Sequence, residues 1–440
     1  MKEATELLLP LVLKGSRVFT DTRMLVSGGI FFALRGENFN GNAYAAEAIR
    51  KGCRLAVIDD PSYNTGEECL LVEDALLCLQ ELSKSYRRML DMPVLGITGT
   101  NGKTTTKELC QAVLEKKFAS QATEGNLNNH IGVPLTLLSL KTTTELAVIE
   151  MGANHVGEIG ALADLAMPTH ALITNIGKAH LEGFGSVENI AKAKGELFES
   201  VIKARGYLFV NGDDPRLKDY SKEKKAVTFG SSRNFCCSGS IKASFPFVEV
   251  TFSTNKEFGK AAPGITGTIK SQLTGDYNFG NIMAAITIGL FFGVPADDLT
   301  EAIEAYVPRN NRSQFIKTAS NTVLLDAYNA NPSSMEAALS NFSRSQEQPK
   351  AVMLGDMLEL GKDAEHEHRK IMRLTEDFSF QFRLFVGKHF SGVCQAADNV
   401  RVFDDVGQAG EWLRHNPLKD HNILVKGSRG ISMEKLLKYL

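Results

Sequence analysis

The sequence lacks the features that mark membrane-spanning, secreted or nucleic-acid-binding proteins. No apolar run reaches the roughly 18 residues of a transmembrane helix. The apolar run near the start carries Pro10 and has neither a basic head nor a small-residue cleavage site, so it does not indicate a signal peptide. Lys and Arg number 49 against 51 Asp and Glu, and the net charge of −2 gives no reason to expect binding to nucleic acid or a membrane surface.

Cysteine is also used sparingly. Only Cys236 and Cys237 are adjacent among the seven cysteines, and no CxxC pair is present. This pattern excludes a typical zinc site and a small disulfide framework, so we expect buried or free thiols in a reducing compartment. The default interpretation is a soluble cytoplasmic protein.

Alternating strand and helix signals divide the 440 residues into three units. Residues 1–92 form a small α/β unit, and residues 93–311 alternate strands and helices as in a parallel sheet covered on both faces. Within the second unit, residues 235–273 have the alternation of added antiparallel strands. Residues 312–440 carry four further strand candidates separated by helices. We therefore predict an α/β protein of three domains: an N-terminal domain, a central P-loop domain, and a C-terminal Rossmann-like domain.

The strongest motif is GITGTNGKTTTK at residues 96–107, between a strand signal and a polar helix. Gly99 and Gly102 allow the backbone to curl so that N–H groups converge on a phosphate at the helix N-terminus. Lys103 would lie against the β- and γ-phosphates, and the Thr104 hydroxyl is suited to bind Mg²⁺. The motif predicts a user of ATP or GTP.

The usual GxxxxGK[ST] spacing nevertheless fails, because its first glycine falls on Ile97. A plain loop before a helix could also carry GxxGK. The preceding strand, the lysine and the nearby hydroxyls favour the phosphate loop over this alternative.

Polar residues that follow strands are the other candidates, because ligands bind beyond the carboxyl ends of parallel strands. Glu150 ends AVIEMG and could bind Mg²⁺ beside Thr104, or it could simply cap the turn. His180 follows LITNIG, although a lone histidine is more often a surface or core residue than a ligand.

Two further groups of candidate site residues, three asparagines and two lysines, lie on other segments. The loop TEGNLNNHIGVP contains Asn126, Asn128 and Asn129, which suit a polar substrate, with a simple turn cluster as the alternative. Lys192 and Lys194 lie on a predicted helix about 200° apart, so only one of them can face the site. Helical lysines are usually solvated, and their spacing does not choose between them.

Taken together, these strings resemble the ATP-dependent Mur ligases of peptidoglycan assembly over nearly the whole chain. The phosphate loop TGTNGKTTT resembles that of the family, which accounts for the unusual spacing. Four further segments are similar to its central-domain signatures: EMGAN at 150–154, TNIGKAHLEGFGS at 174–186, AKAKGELF at 191–198 and GDYNFGNIMAA at 275–285. Three more resemble the branch that adds D-alanyl-D-alanine: DAYNANPSSM at 326–335, LGDMLELG at 354–361 and KGSRGISME at 426–434.

The resemblance implies a role for each candidate residue. ATP would be bound by Gly99, Thr100, Asn101, Gly102, Lys103, Thr104 and Thr105, with Asn281 at the adenine and Arg312 and Asp326 at the ribose and phosphates. Two Mg²⁺ ions would be bound by Thr104, Glu150, His180 and a carbamylated Lys194. Lys103, Lys194 and His180 would be catalytic. Thr22 and Arg23, in a region similar to that by which two branches hold the UDP-sugar, would bind substrate.

The implied reaction is amide ligation. ATP would convert the terminal carboxylate of UDP-MurNAc-tripeptide into an acyl phosphate, which the amine of D-Ala-D-Ala then attacks. This chemistry needs no side-chain nucleophile, and none is evident. The partners would be these small molecules, with no nucleic acid and no membrane, and we expect a monomer.

Two departures and three alternatives accompany this interpretation. The chain has Tyr277 where the family often has histidine, and its PRNNRSQ segment is longer than the usual link before Arg312.

MurE or folylpolyglutamate synthetase is the nearest alternative function. The DNPR motif of MurE has no counterpart here, because the similar GDDPR at 212–216 follows a central strand and is interpreted as a turn. An ATP-gated binding protein and a P-loop kinase are the others.

Overall fold

The computed structural model describes residues 2–309, 311–345, 347–378 and 380–440. Across these ranges the chain forms a four-stranded, a nine-stranded and a six-stranded sheet in succession, with one small two-stranded ribbon. Helices separate most of the strands in the parallel parts of the two larger sheets. These three sheets confirm the predicted α/β class and its arrangement in three successive units.

The N-terminal unit has a parallel sheet of order β1-β2-β5-β6. Helix α1 contains Pro10 and buries Ala4, Leu8 and Val12, whose spacing of four aligns them along one face. Its elements are α1 (Lys2–Leu13), β1 (Val18–Phe19), β2 (Ile30–Phe32), β3 (Arg35–Gly36), β4 (Phe39–Asn40), α2 (Ala45–Arg50), β5 (Leu55–Ile58), β6 (Cys69–Leu71) and α3 (Ala75–Arg88).

The central unit has a nine-stranded sheet of order β15-β14-β13-β12-β11-β10-β7-β9-β8. Its strands are β7 (Val94–Thr98), β8 (Ser120–Ala122), β9 (Leu146–Glu150), β10 (His170–Ile173), β11 (Tyr207–Asn211), β12 (Ala226–Gly230), β13 (Cys237–Ala243), β14 (Glu249–Thr254) and β15 (Thr266–Lys270). Its helices are α4 (Lys103–Leu114), α5 (Gly132–Ser139), α6 (Glu158–Ala166), α7 (Leu181–Phe184), α8 (Val187–Lys203), α9 (Phe279–Phe292) and α10 (Ala296–Ala305).

The pairing of the strands changes once along this sheet, from parallel to antiparallel. Strands β8 to β13 pair in parallel, whereas β13, β14 and β15 pair antiparallel, as predicted for residues 235–273. Helices α4, α9 and α10 share one buried apolar cluster, and α5, α6 and α8 share another. Both faces are therefore covered, which explains why β7 and β9 are buried along their whole length.

The C-terminal unit has a six-stranded sheet of order β16-β17-β21-β18-β19-β20, parallel except for β16. Its strands are β16 (Gln314–Lys317), β17 (Thr322–Asp326), β18 (Lys350–Gly355), β19 (Phe382–Val386), β20 (Val400–Phe403) and β21 (Asn422–Lys426). Its helices are α11 (Pro332–Ser343), α12 (Ala364–Asp377), α13 (Lys388–Val393) and α14 (Val406–His415). Strands β18 to β21 match the four predicted strands, whereas β16 and β17 were not predicted.

Short 3₁₀ helices occupy several connections. GDDPR forms the predicted turn, since Asp214 accepts from the Arg216 N–H at 3.0 Å and caps the 3₁₀ helix Pro215–Lys222. The others are Gly41–Tyr44, Pro61–Tyr63, Asp276–Asn278, Gly361–Asp363, Arg429–Ile431 and Met433–Tyr439. All seven cysteines are unpaired, and among the described helices none is long and apolar enough to cross a bilayer.

Candidate active site

The phosphate loop joins the carboxyl end of β7 to the start of α4, inside the central sheet. Gly99 has φ +146°, and a Cβ there would lie 2.0 Å from Thr174 Oγ1. Gly102 has φ +77°, and a Cβ there would lie 2.4 Å from Asn281 Oδ1. Backbone conformation and close approach together require glycine at both positions.

Lys103 is the first residue of α4 and turns back into the loop. Its ammonium donates to the carbonyl oxygens of Gly99 at 2.7 Å and Thr100 at 3.0 Å. Burial lowers the pKa of Lys103 to about 8, while Glu150 acts to raise it and Arg312 to lower it further. An anionic phosphate in the loop would offset the burial and favour the charged lysine.

Thr104 and Glu150 are brought together by neighbouring strands, since Glu150 lies opposite Ile97 in the register of β9 and β7. The Thr104 hydroxyl donates to Glu150 Oε1 at 3.2 Å, and Asn128 Nδ2 donates to the same oxygen at 2.8 Å. The second carboxylate oxygen, Oε2, is buried and has no partner among the described residues. A buried oxygen without a donor fits a cation such as Mg²⁺ at this position.

His180 lies in the loop after β10, with a left-handed backbone of φ 49°. Its Nδ1 contacts Oε2 of Glu359, which belongs to the C-terminal unit. The close contact with His180 lowers the pKa of Glu359 below its usual range. Within the described residues, no three His, Cys, Asp or Glu side chains cluster as a metal site. A metal here would therefore also need hydroxyl or modified-lysine ligands.

The two lysines of α8 have opposite environments. Lys192 is exposed, whereas Lys194 is 2% exposed and its Nζ lies 5.3 Å from the ring centroid of Phe184. Burial lowers the pKa of Lys194 to about 7, and the charge of Lys103 lowers it further. Of the pair, only Lys194 faces the interior of the protein.

The central and C-terminal units also contribute Asn281 and Arg312, which are predicted to bind the nucleotide and which lie around the same cavity as the phosphate loop. Asn281 accepts from the Thr106 hydroxyl at 3.0 Å and donates to Asn278 Oδ1 at 2.8 Å, so its amide already joins α9 to α4. The Arg312 guanidinium lies 3.6 Å from the ring centroid of Tyr328, and its Nε is buried without a partner among the described residues.

Asp326 ends β17 and forms part of a second polar cluster. It accepts from the Ser313 N–H at 3.1 Å and contacts the Lys426 ammonium. Lys426 ends the neighbouring strand β21 and is 2% exposed. The pair gives the C-terminal side of the site one buried cation and one carboxylate.

A cavity of about 860 Å³ connects these groups. Most of the predicted site residues line it, namely Thr100, Asn101, Gly102, Lys103, Thr104, Thr105, Asn126, Asn128, Asn129, Glu150, His180, Asn281, Arg312 and Asp326. Gly99 and Lys194 do not line this cavity, and Thr22 and Arg23 are outside it in the N-terminal unit. Arg23 is there paired with Asp21 at 2.6 Å on the surface.

Family models match both larger units. The model described as "Mur ligase middle domain" matches residues 97–289, and the model described as "Mur ligase, glutamate ligase domain" matches residues 311–429. The chain belongs to the Mur ligase family. Its α/β units and cavity are accordingly those of a Mur ligase.

Full-length relatives refine this result. This Mur ligase is 36% identical over 435 residues to the UDP-N-acetylmuramoyl-tripeptide–D-alanyl-D-alanine ligase of Bacillus subtilis (strain 168), covering 96% of this chain and 92% of that protein. The enzyme of the same name from Escherichia coli (strain K12) is 33% identical over 430 residues, covering 96% and 93%. The MurF crystal structure from Acinetobacter baumannii superposes with a TM-score of 0.85 at 29% identity, covering 98% and 97%.

Several residues of this Mur ligase cavity were missed by sequence reasoning. They come mainly from the C-terminal unit: Asn175, Tyr328, Asn331, Ser333, Glu359 and Lys426. Asn175 and Lys426 carry a signal that could have found them, because each follows or ends a parallel strand. Glu359 lies in the family-like segment LGDMLELG at 354–361, but its approach to His180 could not be predicted because it depends on how two separate units pack.

Proposed function

We propose that this Mur ligase uses ATP to join D-alanyl-D-alanine to UDP-N-acetylmuramoyl-tripeptide, giving the corresponding pentapeptide precursor. The observation that carries the proposal is a phosphate loop facing a cavity whose opposite wall belongs to the C-terminal unit. Such a cavity can bring the γ-phosphate of a nucleotide together with the reacting groups of two further substrates. The relatives named above supply the identity of those reactants.

The loop would hold the nucleotide during phosphoryl transfer. An oxygen of the tripeptide's terminal carboxylate attacks the γ-phosphorus, the bond to the ADP oxygen breaks, and an acyl phosphate forms. Lys103 and the N–H groups at the start of α4 stabilise the charge on the phosphoryl oxygens. The amine of D-Ala-D-Ala then attacks the activated carbonyl, loses a proton and expels phosphate. Positioning supplies much of the rate, because no side chain forms a covalent intermediate.

The metal ligands are proposed to be Thr104, Glu150, His180 and a carbamylated Lys194. Bound Mg²⁺ would neutralise charge on the phosphates. The unpartnered oxygen of Glu150 supports one ion. The lowered pKa of Lys194 supports carbamylation, because a neutral amine can attack CO₂, forming a nitrogen–carbon bond and releasing a proton. The carbamate is then a hard oxygen ligand suited to a second Mg²⁺.

The three domains would divide the substrates. Residues 1–92, with Thr22 and Arg23, are proposed to bind the UDP-sugar, and residues 93–311 to bind ATP, with Asn281 at the adenine. Residues 312–440 are proposed to contact the nucleotide through Arg312 and Asp326 and to deliver the dipeptide. Asn126, Asn128 and Asn129 are assigned to the tripeptide. We further propose a monomer acting in the cytoplasm, where ATP and the UDP-linked precursor are available.

One assay tests the proposal. Purified protein is supplied with ATP and Mg²⁺, and ADP release is measured with both UDP-MurNAc-tripeptide and D-Ala-D-Ala, with each alone, and with neither. We expect turnover only with both, and a pentapeptide product by mass spectrometry. Equal ADP release without the acceptors would indicate a plain NTPase, multiple turnovers that accumulate a stable phosphorylated substrate and no pentapeptide would indicate a kinase, and binding without turnover would indicate a gated binding protein. Each of these would refute the ligase.

A further inference from the structure

The contact between His180 and Glu359 joins two units that are far apart in sequence. Nδ1 of His180 touches Oε2 of Glu359, and the backbone N–H of Glu182 donates to the Glu359 carbonyl at 3.1 Å. Both residues of the contact have left-handed backbones, with φ of 49° and 61°. Such conformations cost about 1 kcal/mol or more for non-glycine residues and persist where the surroundings enforce them.

The loop that carries Glu359 is fixed within the C-terminal unit. The Met357 N–H donates to Nε2 of buried His368 at 3.0 Å, and the Leu358 N–H donates to Ser428 Oγ at 3.0 Å. The Asp356 carboxylate accepts from two N–H groups at the start of α13, each at 2.9 Å. Glu359 therefore reaches His180 only when the C-terminal unit as a whole is docked.

The contact with Glu359 affects which ring nitrogen of His180 can bind a metal. A carboxylate in ion-pair contact with Nδ1 favours the proton on that nitrogen, so Nε2 keeps its lone pair, which is the form of histidine that binds a metal. Glu359 is the only carboxylate in ion-pair contact with His180 among the described residues. His180 itself lines the cavity that contains Thr104 and Glu150. With the proton on Nδ1, Nε2 is the ring nitrogen left to bind a cation in the cavity that Glu150 also lines.

We infer that Glu359 is a positioning residue that orients His180 for the metal, so that docking of the C-terminal unit completes the metal site. This inference rests on the proposed function, which assigns His180 to Mg²⁺. If docking of the C-terminal unit raises the metal-binding constant by some factor, thermodynamic linkage requires that metal binding raise the docking equilibrium constant by the same factor. The metal would then help to hold the cavity closed around its reactants.

The test compares Glu359→Gln and Glu359→Ala with the wild type and with Glu365→Gln as the matched control. Glu365 lies on α12 of the same unit, is 69% exposed and pairs only with Arg369 among the described residues. Glu359 is 52% exposed, so its replacement should not prevent folding. Mn²⁺ binding is titrated by electron paramagnetic resonance with a nonhydrolysable ATP analogue present, and the free Mg²⁺ giving half-maximal ADP release is measured separately.

Loss of an outer-shell partner typically weakens metal binding 10–100-fold. We expect about that loss of Mn²⁺ affinity in Glu359→Ala and a smaller loss in Glu359→Gln, whose amide oxygen still accepts from Nδ1. Glu365→Gln should match the wild type. Unchanged Mn²⁺ affinity in Glu359→Ala, or an equal loss in the control, would overturn the inference. The Mn²⁺ titration needs no turnover, whereas failure of the proposed function would appear as wild-type protein that forms no pentapeptide.

Discussion

Burial determines the chemistry of the site's lysines at the scale of single residues. The pKa of Lys103 falls to about 8 and that of Lys194 to about 7, in both cases chiefly through burial. Lys192, two positions before Lys194, is exposed. Their separation by about 200° on one helix was predictable from spacing, because successive residues advance by about 100°. The spacing did not indicate which of them faces inward, since that depends on the packing of α8, and only the family resemblance pointed to Lys194.

The two lysines give a direct test of the proposed carbamate. Lys194→Ala should lose nearly all ligase activity, and added bicarbonate should not restore it, because no amine remains to form the ligand. Lys192→Ala should keep most of the activity, since its side chain is solvated. ADP release with both substrates, measured with and without bicarbonate, checks this. Activity lost in Lys192→Ala but kept in Lys194→Ala would move the proposed modification to Lys192.

At the scale of elements, the strand–loop–helix of β7 and α4 depends on glycine at a crowded turn. Gly102 has φ +77°, and a Cβ there would approach Asn281 Oδ1 to 2.4 Å. Gly264 has a similar φ of +88° but nothing within 4 Å of a Cβ. Alanine variants at the two positions therefore distinguish the effect of backbone strain from the effect of a close contact.

Gly102→Ala should weaken binding of an ATP analogue by at least about tenfold, because the methyl group pushes α9 away from the loop and adds strain at the left-handed residue. Gly264→Ala carries similar strain without the clash and should bind the analogue as the wild type does. Isothermal titration calorimetry of both variants measures the difference. If Gly264→Ala lost as much affinity as Gly102→Ala, the close approach to Asn281 would not be what the loop requires.

The elements themselves differed in how far the sequence could predict them. Long buried strands such as β7 and β9 were found from their apolar runs, and the antiparallel block of residues 235–273 was found from its alternating pattern. Strands β16 and β17 were missed, because the turn between them, Thr318 to Asn321, contains no glycine or proline. Its conformation depends instead on side-chain bonds, such as those from Asn321 and Thr318 to the Leu440 carbonyl at 2.8 Å and 2.6 Å.

At the scale of the whole molecule, polar contacts hold the C-terminal unit against the central one. Asn331 Nδ2 donates to Asn101 Oδ1 of the phosphate loop at 2.8 Å, and the Lys178 N–H donates to Ser333 Oγ at 2.8 Å. Lys178 Nζ also pairs with Glu367 at 2.7 Å. A polar interface of this kind suits domains that open and close around substrates, because its groups can be solvated when apart. None of these pairs could be predicted, since each joins residues more than 150 positions apart.

The Lys178–Glu367 pair tests whether this docking serves the second half of the reaction. Glu367 is only 3% exposed as a side chain, and its Oε2 has no partner among the described residues, so loss of Lys178 leaves a buried carboxylate uncompensated. Lys178→Met and Glu367→Gln should each lower kcat/KM for D-Ala-D-Ala, and the double variant should lose little more. We expect a coupling of about 1–3 kcal/mol from the cycle.

The matched control is the Lys370–Glu336 pair, which lies wholly within the C-terminal unit at 2.6 Å and is half-exposed. Exposed pairs typically contribute 0–1 kcal/mol, so Lys370→Met and Glu336→Gln should scarcely change kcat/KM and should show little coupling. Binding of an ATP analogue without the dipeptide should stay within about twofold of wild type in every variant, because the nucleotide loop belongs to the central unit. Additive losses for Lys178 and Glu367, or equal coupling in the control pair, would show that the cross-domain pair only stabilises the fold. Strong coupling confined to Lys178 and Glu367 would instead mean that docking of the C-terminal unit is an energetic part of dipeptide addition.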